Sequence, residues 1–223
     1  MTPDQRREAI IAAALVVMAR KGMAGTTVRD VADEMGTSSG LIHHYVASMD
    51  DLLAAAFEQV AGQDLESTRS AMAAGPDACS RLALFFANYA RADEDWAFQM
   101  WLDAWAEAPR RPAVRAVSHR LNVAWQQLLV DAIEEGVAAG QMACADPDAT
   151  AWRIVSLLDG LSLQAVAHRA SVDRDSVTRW GAAYAESELA LPAGTLSAAL
   201  GPAGGADAAP ADAARTDAAL RHR

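Results

Sequence analysis

Lysine is nearly missing from this chain. Lys21 is the only one in 223 residues, and every other basic side chain is an arginine. With a formal net charge of −10, a binder that holds polyanions through bulk positive charge is excluded. Any contact with nucleic acid must be local and geometric. Cysteine is scarce too: Cys79 and Cys144 stand far apart with no paired spacing. That excludes a disulfide framework and a zinc motif, and it fits a reducing compartment. Period-two runs of Val, Ile and aromatic residues are absent, while alanine is abundant, which favours helix over sheet. No apolar run is long enough to cross a bilayer. The run over 9–19 follows Arg6 and Arg7 as the core of a secretory leader would. However, Asp4 and Glu8 lie ahead of it, and Arg20 and Lys21 occupy the place where a cleavage site needs small residues. It reads as a buried helix, and a cytoplasmic protein with no membrane partner is expected.

Catalytic patterns are also lacking. There is no helical zinc motif, no Gly-x-Ser-x-Gly turn and no phosphate loop. The scattered groups His119, His168, Asp103 and Asp159 make no recognisable constellation. His43 and His44 are adjacent, so on a helix they diverge by about 100° and do not readily share a metal. Neither an enzyme nor a cofactor is expected.

What is present is helical periodicity with clear punctuation. Ile11, Ala14, Leu15 and Met18 predict a first helix over 3–21, with Pro3 in its first turn and Gly22 as its stop. Thr27 caps a second helix that Gly36 ends, a third covers about 38–46, and a fourth runs from Ser48 to about Ala73. Asp50 and Asp51 suit the positive end of its dipole. Further helices are expected over about 78–91, 95–108, 113–139, 148–169 and 174–189, separated by Gly and Pro breaks. From Pro192 the chain has almost nothing to bury, so 192–223 reads as a disordered tail. The fold class is all-α. A three-helix head over 1–47 holds a helix-turn-helix, and a helical body spans 48–191.

The head carries the sharpest signal. Two short helices must cross closely if the second is to enter a major groove. Ala32 is small enough for the crossing, Gly36 tolerates the turn, and Val28, Val31, Met35 and Ile42 point inward. Thr37 and Ser38 cap the third helix and offer hydroxyls to phosphate. The stretch from Thr26 to Leu53 resembles the signature of the TetR family, and Ser38-Ser-Gly-Leu-Ile-His-His-Tyr45 is especially similar to its choline-responsive BetI branch. Trp101-Leu-Asp-Ala-Trp105 looks like the same branch. The resemblance implies that Arg29, Ser39, Gly40, Leu41 and His43 meet base edges or the groove floor. Thr27, Thr37, His44 and Tyr45 would meet backbone phosphates. One departure matters: Met49 stands where the family usually has a lysine, which removes a phosphate anchor. The stretch 1–53 holds five basic and seven acidic residues, so modest nonspecific affinity and a shallow salt dependence are expected.

In the body, Phe86, Tyr89, Met100, Trp101, Trp105 and Trp125 read either as core or as the wall of a ligand cavity. Asp103, Asn122, Gln126, Asp159 and Gln164 lie at spacings that let them join such a cavity. Tryptophans with a carboxylate cage an organic cation well, and the resemblance points to a choline-like or polyamine-like effector. It also makes the last two helices the homodimer contact, through Ile154, Leu157, Leu158, Leu161, Val177, Trp180 and Tyr184, with Ser156, Gly160 and Ala165 allowing close approach. The expected function is a repressor that binds palindromic double-stranded operator DNA as a dimer and is released by a small molecule. The alternative is a helical protein-binding or sensor module that has lost operator binding.

Overall fold

A computed structural model of the chain describes residues 2–89, 95–168 and 171–199. Among them the regular structure is entirely helical: α1 (Pro3–Lys21), α2 (Val28–Glu34), α3 (Ser39–Tyr45), α4 (Met49–Ala73), α5 (Ala78–Tyr89), α6 (Asp95–Glu107), α7 (Pro112–Ala138), α8 (Pro147–Ala167), α9 (Arg174–Glu188) and α10 (Thr195–Ala199).

Local chemistry sets the boundaries of the head. Thr2 and Gln5 form a reciprocal capping box ahead of Pro3, and Gly22 closes α1 at φ +72°. Thr27 and Asp30 repeat the device on α2. Ser38 and Ser48 cap α3 and α4, so each short helix has its first amides satisfied and can form without length to help it. Ile10, Ala14, Val17, Met18, Val31 and Ile42 fill the interior of the head.

The 25-residue α4 leads out of the head and becomes the spine of the body. Leu52, Leu53 and Phe57 on it are fully buried. It packs chiefly on α7 and α5, with α6 beside it, while α8 lies on α7 and α9 on α8. The apolar residues of head and body form one continuous core. Gly181 lets α9 approach α8, since a Cβ there would stand 2.5 Å from Leu158 Cδ2.

The expected tail needs a correction at its start. Residues 195–199 form α10, and Leu196 on it is buried against the body. The buried Glu186 carboxylate accepts hydrogen bonds from the amides of Gly194 and Leu196, both at 2.8 Å. One leucine and one buried carboxylate are enough to pin this segment, which composition alone does not reveal. The rest of the expected tail, 200–223, lies outside the described residues.

Candidate DNA interface and effector cavity

The turn between α2 and α3 is built from main-chain bonds. Gly36, at φ +61°, donates its amide to Asp33 O at 3.1 Å, and Thr37 donates to Ala32 O at 2.9 Å. Ser38 Oγ accepts from the Leu41 amide at 3.4 Å. Val31, Ala32 and Ile42 face inward. Thr27, Arg29, Ser38, Gly40, His43 and His44 are exposed, and Thr37, Ser39, Leu41 and Tyr45 are half-buried at the same end of the molecule. The His44 and Tyr45 rings meet edge to face at 5.0 Å. Gly40 has open space around it: an added Cβ would meet only Ser38 Oγ, at 3.8 Å.

Three ion pairs within the head tie up most of its basic side chains and leave the acidic excess of two over residues 1–53 unchanged. Lys21 pairs with Asp30, Arg20 with Glu34 at 2.7 Å, and Arg29 with Asp33 at 3.9 Å. The hydrogen bond from Lys21, aided by one from the Thr27 hydroxyl, holds the Asp30 carboxyl down at about 2. Three of the five basic residues counted in the sequence therefore already have carboxylate partners.

In the body, a small, partly open cavity lies among α4 to α9. Six expected residues line it: Tyr89, Trp101, Trp105, Asn122, Trp125 and Asp159. Trp101 and Trp105 lie 5.5 Å apart, Phe98 sits 6.1 Å from Trp105, and Trp125 packs edge-on against Tyr89 at 5.8 Å. The Tyr89 hydroxyl donates to Asp159 Oδ1 at 2.6 Å. Burial raises the Asp159 carboxyl to about 6, against the lowering effect of that bond. Burial, followed by the nearby Asp159 charge, pushes the Tyr89 phenol well above its ordinary value, so it remains a donor. Asp64, Ser162 and Arg174 complete the polar part of the wall.

Five expected cavity residues belong elsewhere. Phe86 and Met100 are buried in the core off the cavity. Gln126 donates to Asp148 Oδ1 at 2.9 Å at the start of α8. Gln164 is exposed. Asp103 faces the head, where its Oδ2 accepts from the Met23 amide at 2.8 Å and Gln99 donates to its Oδ1 at 3.1 Å. Three expected dimer residues are also corrected, because Ile154, Leu158 and Val177 are buried within their own chain. Val177 lines the cavity instead. Trp180 is 45 % exposed, while Leu157, Leu161 and Tyr184 are half-buried.

The sequence reading missed Asp64, Phe98, Ser162 and Arg174. Phe98 had a signal, being three residues before Trp101 and so on the same helix face. The others come from α4, α8 and α9 and meet only through the tertiary crossing.

Several contacts join the cavity to the head. The Trp101 ring meets Phe57 of α4 edge-on at 4.9 Å. Asp103, two residues further along α6, holds the turn after α1. Asp50, in the first turn of α4, accepts from the Ala113 amide of α7 at 3.0 Å. Among the described residues no cluster able to hold a metal occurs, and no helix is long and apolar enough to cross a membrane.

Comparison with known proteins agrees with this layout. Residues 10–56 match the model of the bacterial regulatory proteins of the tetR family, and residues 80–190 match that of the BetI-type transcriptional repressor C-terminal domain. The HTH-type transcriptional regulator BetI of Paraburkholderia phymatum is 29 % identical over 85 % of this chain and 96 % of that protein. The BetI regulator of Rhizobium meliloti is 29 % identical over 71 % of this chain and 77 % of its own length. Among solved structures, a proposed transcriptional regulator from Pseudomonas aeruginosa superposes with a TM-score of 0.75 at 28 % identity, covering 84 % of this chain and 91 % of that one. A Saccharomonospora viridis protein solved in complex with choline shares the fold, with a TM-score of 0.74 at 24 % identity over 83 % of this chain and 98 % of that one. With both the reading head and the body matched, the chain belongs to the TetR family of bacterial transcriptional regulators and carries a BetI-type C-terminal domain.

Proposed function

We propose that this protein is a ligand-responsive repressor that binds a palindromic operator as a homodimer and lets go when an organic cation enters the body. The observation that carries the DNA reading is Gly40. Glycine is a poorer helix former than alanine, and nothing in the fold requires it as the second residue of the exposed α3. A groove floor pressing against α3 supplies the missing reason. Ser39, Gly40, Leu41, His43 and Arg29 then meet bases, and Thr27, Thr37, Ser38, His44 and Tyr45 hold phosphates. In this reading residues 1–47 read DNA, residues 48–191 sense and pair, and the protein works in the cytoplasm.

Two copies pair through the outer faces of α8 and α9. Gly160 has open space beside it, and Leu163 and Trp180 are exposed at 41 % and 45 %. A fold shared with a choline-bound protein is compatible with a cationic effector. The support within this chain is its own chemistry: tryptophan faces beside Asp159 attract a soft cation. A cation seated on Trp101 presses Phe57 of α4 and shifts α6, which holds the head through Asp103. The spacing of the two reading heads then no longer fits the operator, so differential affinity releases the DNA.

The test is fluorescence anisotropy with the DNA upstream of the protein's own gene, over a salt series, with and without a quaternary ammonium ion. Expected are specific binding, release by the cation, and a log–log salt slope shallower than about −8, because few free cations face the phosphates. No preference for that DNA over scrambled sequence would overturn the reading in favour of a protein-binding module.

A further inference from the structure

The head keeps few cations free to meet a polyanion. Arg20, Lys21 and Arg29 are engaged with Glu34, Asp30 and Asp33, which leaves Arg6 and Arg7 on α1. Arg6 is half-buried and Arg7 is exposed. Arg7 lines a surface groove with Val46 and Ala47, in the link between α3 and α4, and with Asp51 and Glu58 on α4. Neither carboxylate of that groove holds it. Asp51 accepts from the Ser48 hydroxyl at 2.6 Å, and Glu58 pairs with Arg120 at 2.7 Å. Among the described residues no ion pair engages the Arg7 guanidinium. Met49, the first residue of α4, is half-buried against the core and brings no charge to this corner.

From this we infer that Arg7 binds a backbone phosphate of the operator at the corner where α3 passes into α4. With seven residues, α3 is about 10 Å long, and a major groove is about 12 Å wide. The last turn of α3 therefore lies close to a flanking backbone, and Val46 and Ala47 follow that turn directly. A guanidinium presents a planar fork of donors that fits phosphate oxygens, and with no internal partner Arg7 has only water to release. Pro3 and the capping box of Thr2 and Gln5 hold it on a formed helix, so little ordering is needed on binding. A phosphate contact reads no sequence. It fixes how the head sits on the duplex, and with that the register of α3. The inference rests on the operator reading above and adds a contact from outside α2 and α3.

Full-length protein is titrated over a salt series against the DNA upstream of its own gene and against a scrambled duplex, with binding read by anisotropy. Arg7→Gln is expected to weaken binding to both duplexes by a similar factor, about tenfold at low salt. It should also make the log–log salt slope shallower by about one. Arg7→Lys keeps the charge and should keep the slope. Adding Met49→Lys to Arg7→Gln puts another cation at the same corner and is expected to restore most of the lost affinity and slope. In the parent, Met49→Lys should change both much less, and that non-additivity marks a shared site. Parental affinity and slope in Arg7→Gln, or a loss confined to one of the two duplexes, would overturn Arg7 as a phosphate contact and leave the operator reading standing. Additive effects of the two substitutions would overturn its placement at this corner. A parent protein with no preference for its upstream DNA would sink the operator reading and this inference together.

Discussion

Asp159 offers a test in which stability and function should move in opposite directions. Its carboxyl is raised from 3.8 to about 6, mainly because burial disfavours the charged form. Between those values the folded chain keeps a proton that the unfolded chain has lost. Stability from this group is therefore present in full at low pH and disappears as pH rises through the window. At pH 8 the ionised side chain costs the fold about 3 kcal/mol, and at pH 4 less than about 1 kcal/mol. Asp159→Asn keeps an acceptor for the Tyr89 hydroxyl and removes the buried charge. The variant is expected to be more stable than the parent at pH 8 by up to about 3 kcal/mol, roughly 6–12 °C in Tm for a chain of this size, and to converge with it near pH 4. The same change should weaken binding of a quaternary ammonium by about tenfold or more, because the cage loses its anion. Thermal melts at pH 4 and pH 8, paired with calorimetric titration, measure both. A variant less stable than the parent at pH 8, or a gap that widens on acidification, would show that Asp159 is not a buried charge held at a cost for binding.

Two further changes probe transmission and pairing. Asp103→Ala leaves the buried Met23 amide without its acceptor. It is expected to reduce the factor by which cation weakens operator affinity, measured as the ratio of operator Kd with and without saturating cation, while cation affinity in the absence of DNA stays close to that of the parent. An unchanged ratio would remove α6 from the path. Trp180→Glu places a charge on the exposed face of α9 and is expected to yield monomers in sedimentation equilibrium and to abolish binding to a two-half-site operator. A dimer that persists at micromolar concentration would place the interface elsewhere.

Much of this molecule could be read before its structure. Caps and stops such as Thr27, Gly36 and Ser48 act within a few residues, so α1 to α4 are legible from spacing alone. Trp101 and Trp105 are correctly grouped because a separation of four fixes them on one face. Asp103 could have been kept apart from them: two residues is about 200° of helix, so it must look away from Trp101. Gln126 and Ile154 were harder to place, because periodicity gives a helix a buried stripe but does not say which neighbour covers it. Arg174 and Asp64 leave no trace in any local window, since only the packing of several helices around one cavity brings them to the same wall. Leu196 escaped for the opposite reason, a lone apolar side chain in a stretch whose average composition signals disorder.

The apolar interior runs from Ile10 in the head to Leu196 at the far end of the described chain. A cavity made by trimming Phe85 or Leu129 therefore loosens the same folding unit that carries the reading helix. Genetic screens for constitutive expression of the target genes should accordingly return lesions scattered through the whole sequence, most of them nowhere near DNA. Such a collection maps the folding unit. Only alleles that keep the protein abundant while removing its response to inducer would trace the route from effector to operator.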